Sequence, residues 1–153
     1  MEKIIEKISI VQSKKIIYNY TNSKPIKNEE INKFIKKFED FFLTKIDEDY
    51  INFLKVSDGL EYNGYRIYCS FDYTTNDIEQ SVFQNNELWY DEYDKDREFV
   101  FFAHSGLDLF VFNKIEKKYQ LLDRSSSDVY KEFDSFSNML LFILMLMLNE
   151  ELD

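Results

Sequence analysis

The chain has 153 residues, with 29 Asp and Glu against 19 Lys and Arg, and a formal net charge of −10. That sign argues against nonspecific nucleic-acid binding, which needs a cationic footprint. A single Cys and a single His exclude an intrachain disulfide and a Cys/His zinc site. The length suits one domain over residues 1–153 with one sizeable core.

The amino terminus, M-E-K-I-I-E-K, mixes charge into its apolar residues and lacks a secretory pattern. Ile4, Ile5, Ile8 and Val11 form a helical stripe. Ile16, Ile17, Tyr18 and Tyr20 fit either a continuation of that helix or a short strand. Pro25 and its neighbours Asn22, Ser23 and Lys24 mark a loop. Asn28 is placed to cap a second helix whose first turn carries Glu29 and Glu30. Its apolar positions, Ile31, Phe34, Ile35, Phe38 and Phe42, recur with helical period. Asp47 is placed to cap a third helix, with Tyr50, Phe53 and Leu54 facing inward and Gly59 as its stop.

The period then changes. Asn63-Gly64 reads as a tight turn with positive φ, and Tyr65–Cys69 as a strand. A short helix is expected over Asp77–Asn86. Phe99–Ala103 is a continuous apolar run, as a buried strand would be. Ser105-Gly106 breaks it, and Leu107–Phe112 and Tyr119–Leu122 read as further strands. Ser135 is placed to cap a last helix from Phe136 to about Asn149, apolar nearly all round. The longest apolar run, Met139–Leu148, would make a helix of about 15 Å against a hydrocarbon core of about 30 Å, so no membrane contact is expected. The expected fold is α+β: N-terminal helices, a largely antiparallel or mixed sheet in the middle, and a C-terminal apolar helix packed on it. A cytoplasmic location is expected.

Charge is unevenly distributed. Residues 1–45 carry ten Lys against six carboxylates, whereas residues 46–98 carry fourteen carboxylates against four basic residues. The densest group is Asp91, Glu92, Asp94, Asp96 and Glu98. It lacks the Gly and Glu spacing of a calcium loop, so no metal is expected there. Flanked by Trp89, Tyr90 and Tyr93, it reads as a solvated acidic loop or as a negative patch facing a basic partner. Trp89 fits either the core or that patch. Cys69 and His104 are the residue types of a thiol nucleophile and its base, but no nucleophile-elbow or Gly-rich context accompanies them. His104-Ser105 adjacency makes no dyad, because neighbours on a strand point to opposite faces. No catalytic residue and no cofactor are expected.

Several segments together resemble the SUKH superfamily, the Smi/Knr-type family of bacterial immunity proteins and eukaryotic regulators. Ile46-Asp47-Glu48-Asp49-Tyr50-Ile51-Asn52-Phe53-Leu54 resembles its L-P-x-x-Y-x-x-F-L helix start, with Asp47 in place of Pro. Gly59-Leu60-Glu61-Tyr62-Asn63-Gly64-Tyr65-Arg66-Ile67-Tyr68 is similar to the G-L-x-x-N-G-x-x-I-Y segment of its YrhA-like branch. Asp77-Ile78 with Asn85, Gly106 to Phe110 around Asp108, and Ser135-Phe136 follow in the same order, so the likeness spans about residues 28–148. It implies non-enzymatic binding of a protein toxin or other effector. In that reading Tyr50, Phe53, Leu54, Gly59, Asn63, Gly64, Tyr68, Asp108 and Phe136 are structural. Trp89, Tyr90, Asp91, Glu92, Tyr93, Asp94 and Asp96 are the candidate partner surface. The alternative is a regulatory or scaffold protein without a toxin, pairing as a homodimer through the terminal helix.

Overall fold

The computed structural model describes residues 1–71 and 81–150. Three helices come first: α1 (Glu2–Ile17), α2 (Asn28–Phe42) and α3 (Glu48–Leu54). Two short strands follow, β1 (Leu60–Tyr62) and β2 (Tyr65–Ile67). Helix α4 (Val82–Glu92) leads to β3 (Phe99–His104), β4 (Asp108–Asn113), β5 (Lys118–Asp123) and β6 (Val129–Phe133), and α5 (Phe136–Met147) ends the sequence of elements. The strands form one antiparallel sheet in chain order, β1 to β6. The α+β reading is therefore correct, and the sheet has no parallel pair between its strands.

Local chemistry explains most boundaries. Phe34, Phe38 and Phe42 line the buried side of α2, as their spacing requires. Asp47 accepts a hydrogen bond from the Asp49 amide at the start of α3, and Ser135 does the same for Asn138 at the start of α5, each satisfying one orphan helix donor. Asn63 and Gly64 have φ of 53° and 83°, the backbone of a two-residue hairpin turn joining the paired residues Tyr62 and Tyr65. The Asn63 amide also donates to the Met147 carbonyl at 3.2 Å, closing the end of α5.

Three expectations need correction. The residue capping α2 is Lys27, without a side-chain bond, and Asn28 is already helical. Gly59 does not stop α3, which ends at Leu54 with Lys55 as cap. Gly59 is required by its φ of +85° and by Cys69, whose Cβ lies 2.8 Å from where a Cβ on residue 59 would stand. The strand expected over Tyr65–Cys69 ends at Ile67, and Cys69 instead makes an isolated parallel bridge with Ser81. Asp77–Gln80 of the expected fourth helix lie outside the described residues, and the helix that follows runs on to Glu92.

The core is aromatic. Phe102 stands among Phe38, Tyr50, Tyr119 and Phe136, at ring separations of 4.9–6.2 Å, so α2, α3, β5 and α5 meet over one side of β3. Tyr50 donates its hydroxyl to the Tyr68 carbonyl at 2.8 Å, which fixes α3 to the end of β2. α1 packs along α5, and Lys7 pairs with Glu150 at 2.6 Å. Six α5 side chains are buried, among them Met139, Ile143 and Met147, and Leu141, Phe142 and Leu146 are partly covered. The terminal helix thus buries most of its apolar surface inside the molecule, with Leu141, Phe142, Met145 and Leu146 partly open and Asn138 its one exposed residue. Among the described residues, no helix is long and apolar enough to cross a membrane.

Candidate partner-binding face on helix α4

Strand β2 is three residues long and its pairing with β3 reaches only from Arg66–His104 to Ile67–Ala103. Among the described residues, the first half of β3 therefore has an edge with no strand beside it. Helix α4 fills that place. Asn86 accepts from the Phe101 amide at 2.8 Å and donates to the Phe101 carbonyl at 2.8 Å. The Tyr90 hydroxyl donates to the Phe99 carbonyl at 2.7 Å. Asp94, in the turn after the helix, accepts from the Phe99 and Glu98 amides, both at 2.9 Å. Side chains at i, i+4 and i+8 thus satisfy four consecutive edge groups of β3 that would otherwise be buried without partners.

This arrangement decides the orientation of α4. Val82, Phe83, Asn85, Asn86 and Tyr90 turn inward, and Ser81 caps the helix by accepting from the Gln84 amide. Trp89 and Tyr93 are half-buried and pack on Phe101. Glu87, Leu88, Asp91 and Glu92 face solvent, Leu88 with 45% of its surface exposed. Asp96 is exposed just beyond, in the turn.

The expected partner surface is therefore split. Asp91, Glu92 and Asp96 are exposed. Tyr90 and Asp94 are buried, Asp94 being 6% exposed, and they hold β3. Trp89 belongs mainly to the packing, and its ring is covered by the Arg124 guanidinium at 5.0 Å. Sequence reading missed Glu87 and Leu88, although their spacing of four and three residues before Asp91 puts them on the same helical face.

The outer face is electrostatically unusual. α4 contains no Lys or Arg, and its last turn has no basic residue to balance Asp91 and Glu92. Carboxylates at that end oppose the helix dipole and cost about 0.3–1 kcal/mol each. Their position is thus not one that folding alone selects.

Beneath this face lies the molecule's one histidine. The Trp89 indole N–H donates to the Tyr68 hydroxyl at 2.9 Å, and Tyr68 and His104 Nδ1 are 2.7 Å apart. Trp89 donating to Tyr68 leaves the phenol proton free to point at Nδ1, an arrangement that requires the His104 proton on Nε2. Burial, reinforced by Arg66 and Arg124, lowers the imidazole to about 4. Burial pushes the Tyr68 phenol up. A neutral, tyrosine-bonded imidazole with so low an affinity for protons is a poor general base. Cys69 is buried and its thiol donates to the Phe71 carbonyl at 3.3 Å. His104 Nδ1 is paired with the Tyr68 hydroxyl. Ser105 makes no dyad with that ring: its hydroxyl serves the turn before β4, accepting from the Asp108 and Leu107 amides.

Tyr50, Phe53, Leu54, Tyr68 and Phe136 are buried. Asp108 accepts from the Ser105 hydroxyl at 3.2 Å, and its carboxyl is raised by partial burial. Among the described residues, no three His, Cys, Asp or Glu side chains converge as metal ligands. No family model matches this sequence, and no curated protein matches it.

Proposed function

We propose that the protein is a non-enzymatic cytoplasmic binding protein of the SUKH type, an immunity protein that neutralises a basic toxin, such as a nuclease, by covering it with the outer face of α4. The observation that carries this reading is the exposed set Glu87, Leu88, Asp91 and Glu92, with Asp96 beside it, at the end of a helix where negative charge is disfavoured. A basic partner relieves that cost. A nuclease must bind phosphate and so presents a cationic surface; an acidic face imitates the polyanion, speeds encounter by steering and blocks the site. Leu88 supplies an apolar centre within the charged rim. The neutral His104 and the buried Cys69 thiol favour binding over turnover.

The test is co-expression with the toxin encoded beside its gene, together with association kinetics at several salt concentrations. Replacing Glu87, Asp91, Glu92 and Asp96 with Gln or Asn should slow association by about tenfold or more and flatten its salt dependence, since steering acts mainly on the on-rate. Unchanged association and undiminished rescue of growth by that variant would refute the placement of the interface.

A further inference from the structure

A cavity of about 800 Å³ lies where the end of α1, the β1–β2 hairpin and the end of α5 meet. Its size falls in the range of small-molecule sites. Lys15, from the last turn of α1, lines it and is only 6% exposed. Among the described residues, the Lys15 side chain makes no hydrogen bond and no ion pair, while its backbone carbonyl accepts from the Tyr20 amide at 2.8 Å. The carboxylate that acts on it, Glu61, is engaged elsewhere: both Glu61 oxygens accept from Arg66 at 3.0 Å. Burial accordingly pushes the Lys15 ammonium down. The negative end of α1 accounts for a positive residue in its last turn, as it does for the exposed Lys14. It does not supply the Lys15 ammonium, half-buried at the cavity wall, with a bonded counter-ion; Glu61 acts on it without forming an ion pair.

Around Lys15 the lining is aromatic and polar: Tyr18, Tyr20 and Tyr62 offer flat ring faces with hydroxyl edges, Lys14 adds a second positive charge, and Glu61, held by Arg66, is the one carboxylate among the lining residues. We propose that this cavity binds an organic carboxylate with a flat apolar body, the carboxylate paired with Lys15 and the body laid among Tyr18, Tyr20 and Tyr62. Two ammonium groups suit a single negative charge. The carboxylate can belong to a small aromatic acid or to the free end of a peptide with an aromatic last residue. The site shares no residue with the α4 face and does not depend on the function assigned to it.

The test uses the full chain and four probes: 4-hydroxyphenylacetate, its uncharged amide, the peptide Gly-Gly-Phe, and that peptide with an amidated end. Calorimetry and the side-chain NMR signal of Lys15 report binding. The carboxylate forms should bind and shift the Lys15 signal, and the amides should bind about tenfold or more weaker, because the charge-assisted bond is lost. Binding by the acid but not the peptide assigns a small molecule; binding by both assigns a chain end. Lys15→Met should lose the same factor while its thermal midpoint stays level or rises. No binding of either carboxylate at about 10 mM, equal binding of acid and amide, or a Lys15 signal unmoved in the unmutated protein would overturn the site.

Discussion

Replacing Asn86 with Leu should unfasten α4 from the sheet. The side chain is fully buried and branches as Leu does, so the change leaves no cavity, but the two methyls take more room than the carboxamide and overpacking adds about 1 kcal/mol. It does remove the partners of the Phe101 amide and carbonyl, each held at 2.8 Å. β2 ends too early to supply substitutes. An orphaned buried backbone group costs about 1–3 kcal/mol, so two cost about 2–6 kcal/mol. The added apolar side chain returns about 1.5–3 kcal/mol if it packs. A net loss of about 2–3 kcal/mol is expected, a large part of the 5–15 kcal/mol typical of a domain. At this chain length each kcal/mol lowers Tm by about 2–4 °C, so a drop of about 4–12 °C is expected. Urea unfolding followed by tryptophan fluorescence measures it, because Trp89 packs on the same Phe101. A loss below about 0.5 kcal/mol, the range of ordinary surface substitutions, would refute the idea that this carboxamide stands in for a strand.

Two further outcomes follow from the same region. Asp94→Ala should cost about 2 kcal/mol or more, since the Glu98 and Phe99 amides lose their acceptor, whereas Asp91→Asn and Asp96→Asn should stay within about 0.5 kcal/mol in the same unfolding assay. Equal effects at all three positions would contradict the split between inner and outer carboxylates. The imidazole of His104 should titrate near 4 by NMR, and Arg124→Gln should move that midpoint upward. Because the folded state binds this proton less readily than the unfolded chain, the group's contribution to stability is present above pH about 6.5 and is lost as pH falls toward 4. Comparing wild type with His104→Gln across that window isolates it from the carboxylates, and an imidazole midpoint near 6.5 would be inconsistent with the buried, tyrosine-bonded ring.

Features set by neighbouring residues were legible in the sequence. The Phe34–Phe38–Phe42 stripe, the Asp47 and Ser135 caps and the Asn63-Gly64 turn each need only a few residues to specify them. Two strands carried no readable pattern. β1 is three residues long, and most of β6 is exposed, with Tyr130, Lys131 and Glu132 all facing solvent. The roles of Tyr90 and Asp94 were hidden for another reason. An acidic run with aromatic neighbours looks like surface until one knows that β2 stops at Ile67 and leaves β3 short of partners. That is a fact about chain pairing some twenty to thirty residues away, which no local period records. Glu87 and Leu88 lay within reach of sequence reading, since helical spacing from Asp91 places them, but they fell in a segment whose helix was expected to end at Asn86.

The clasp between α1 and α5 also bears on how the chain is made. Lys7 and Glu150, which meet at 2.6 Å, are 143 residues apart, so α1 finds its seat only after α5, more than a hundred residues later in the chain, has been made. At about 5–20 residues per second that interval lasts several seconds or more. Throughout it, Ile4, Ile8 and Val11, which are buried at the end of folding, have no α5 to shelter against. Newborn copies therefore pass through a sticky stage whose length is set by translation speed, and holding chaperones should matter more to the yield of this protein than to its endurance once finished.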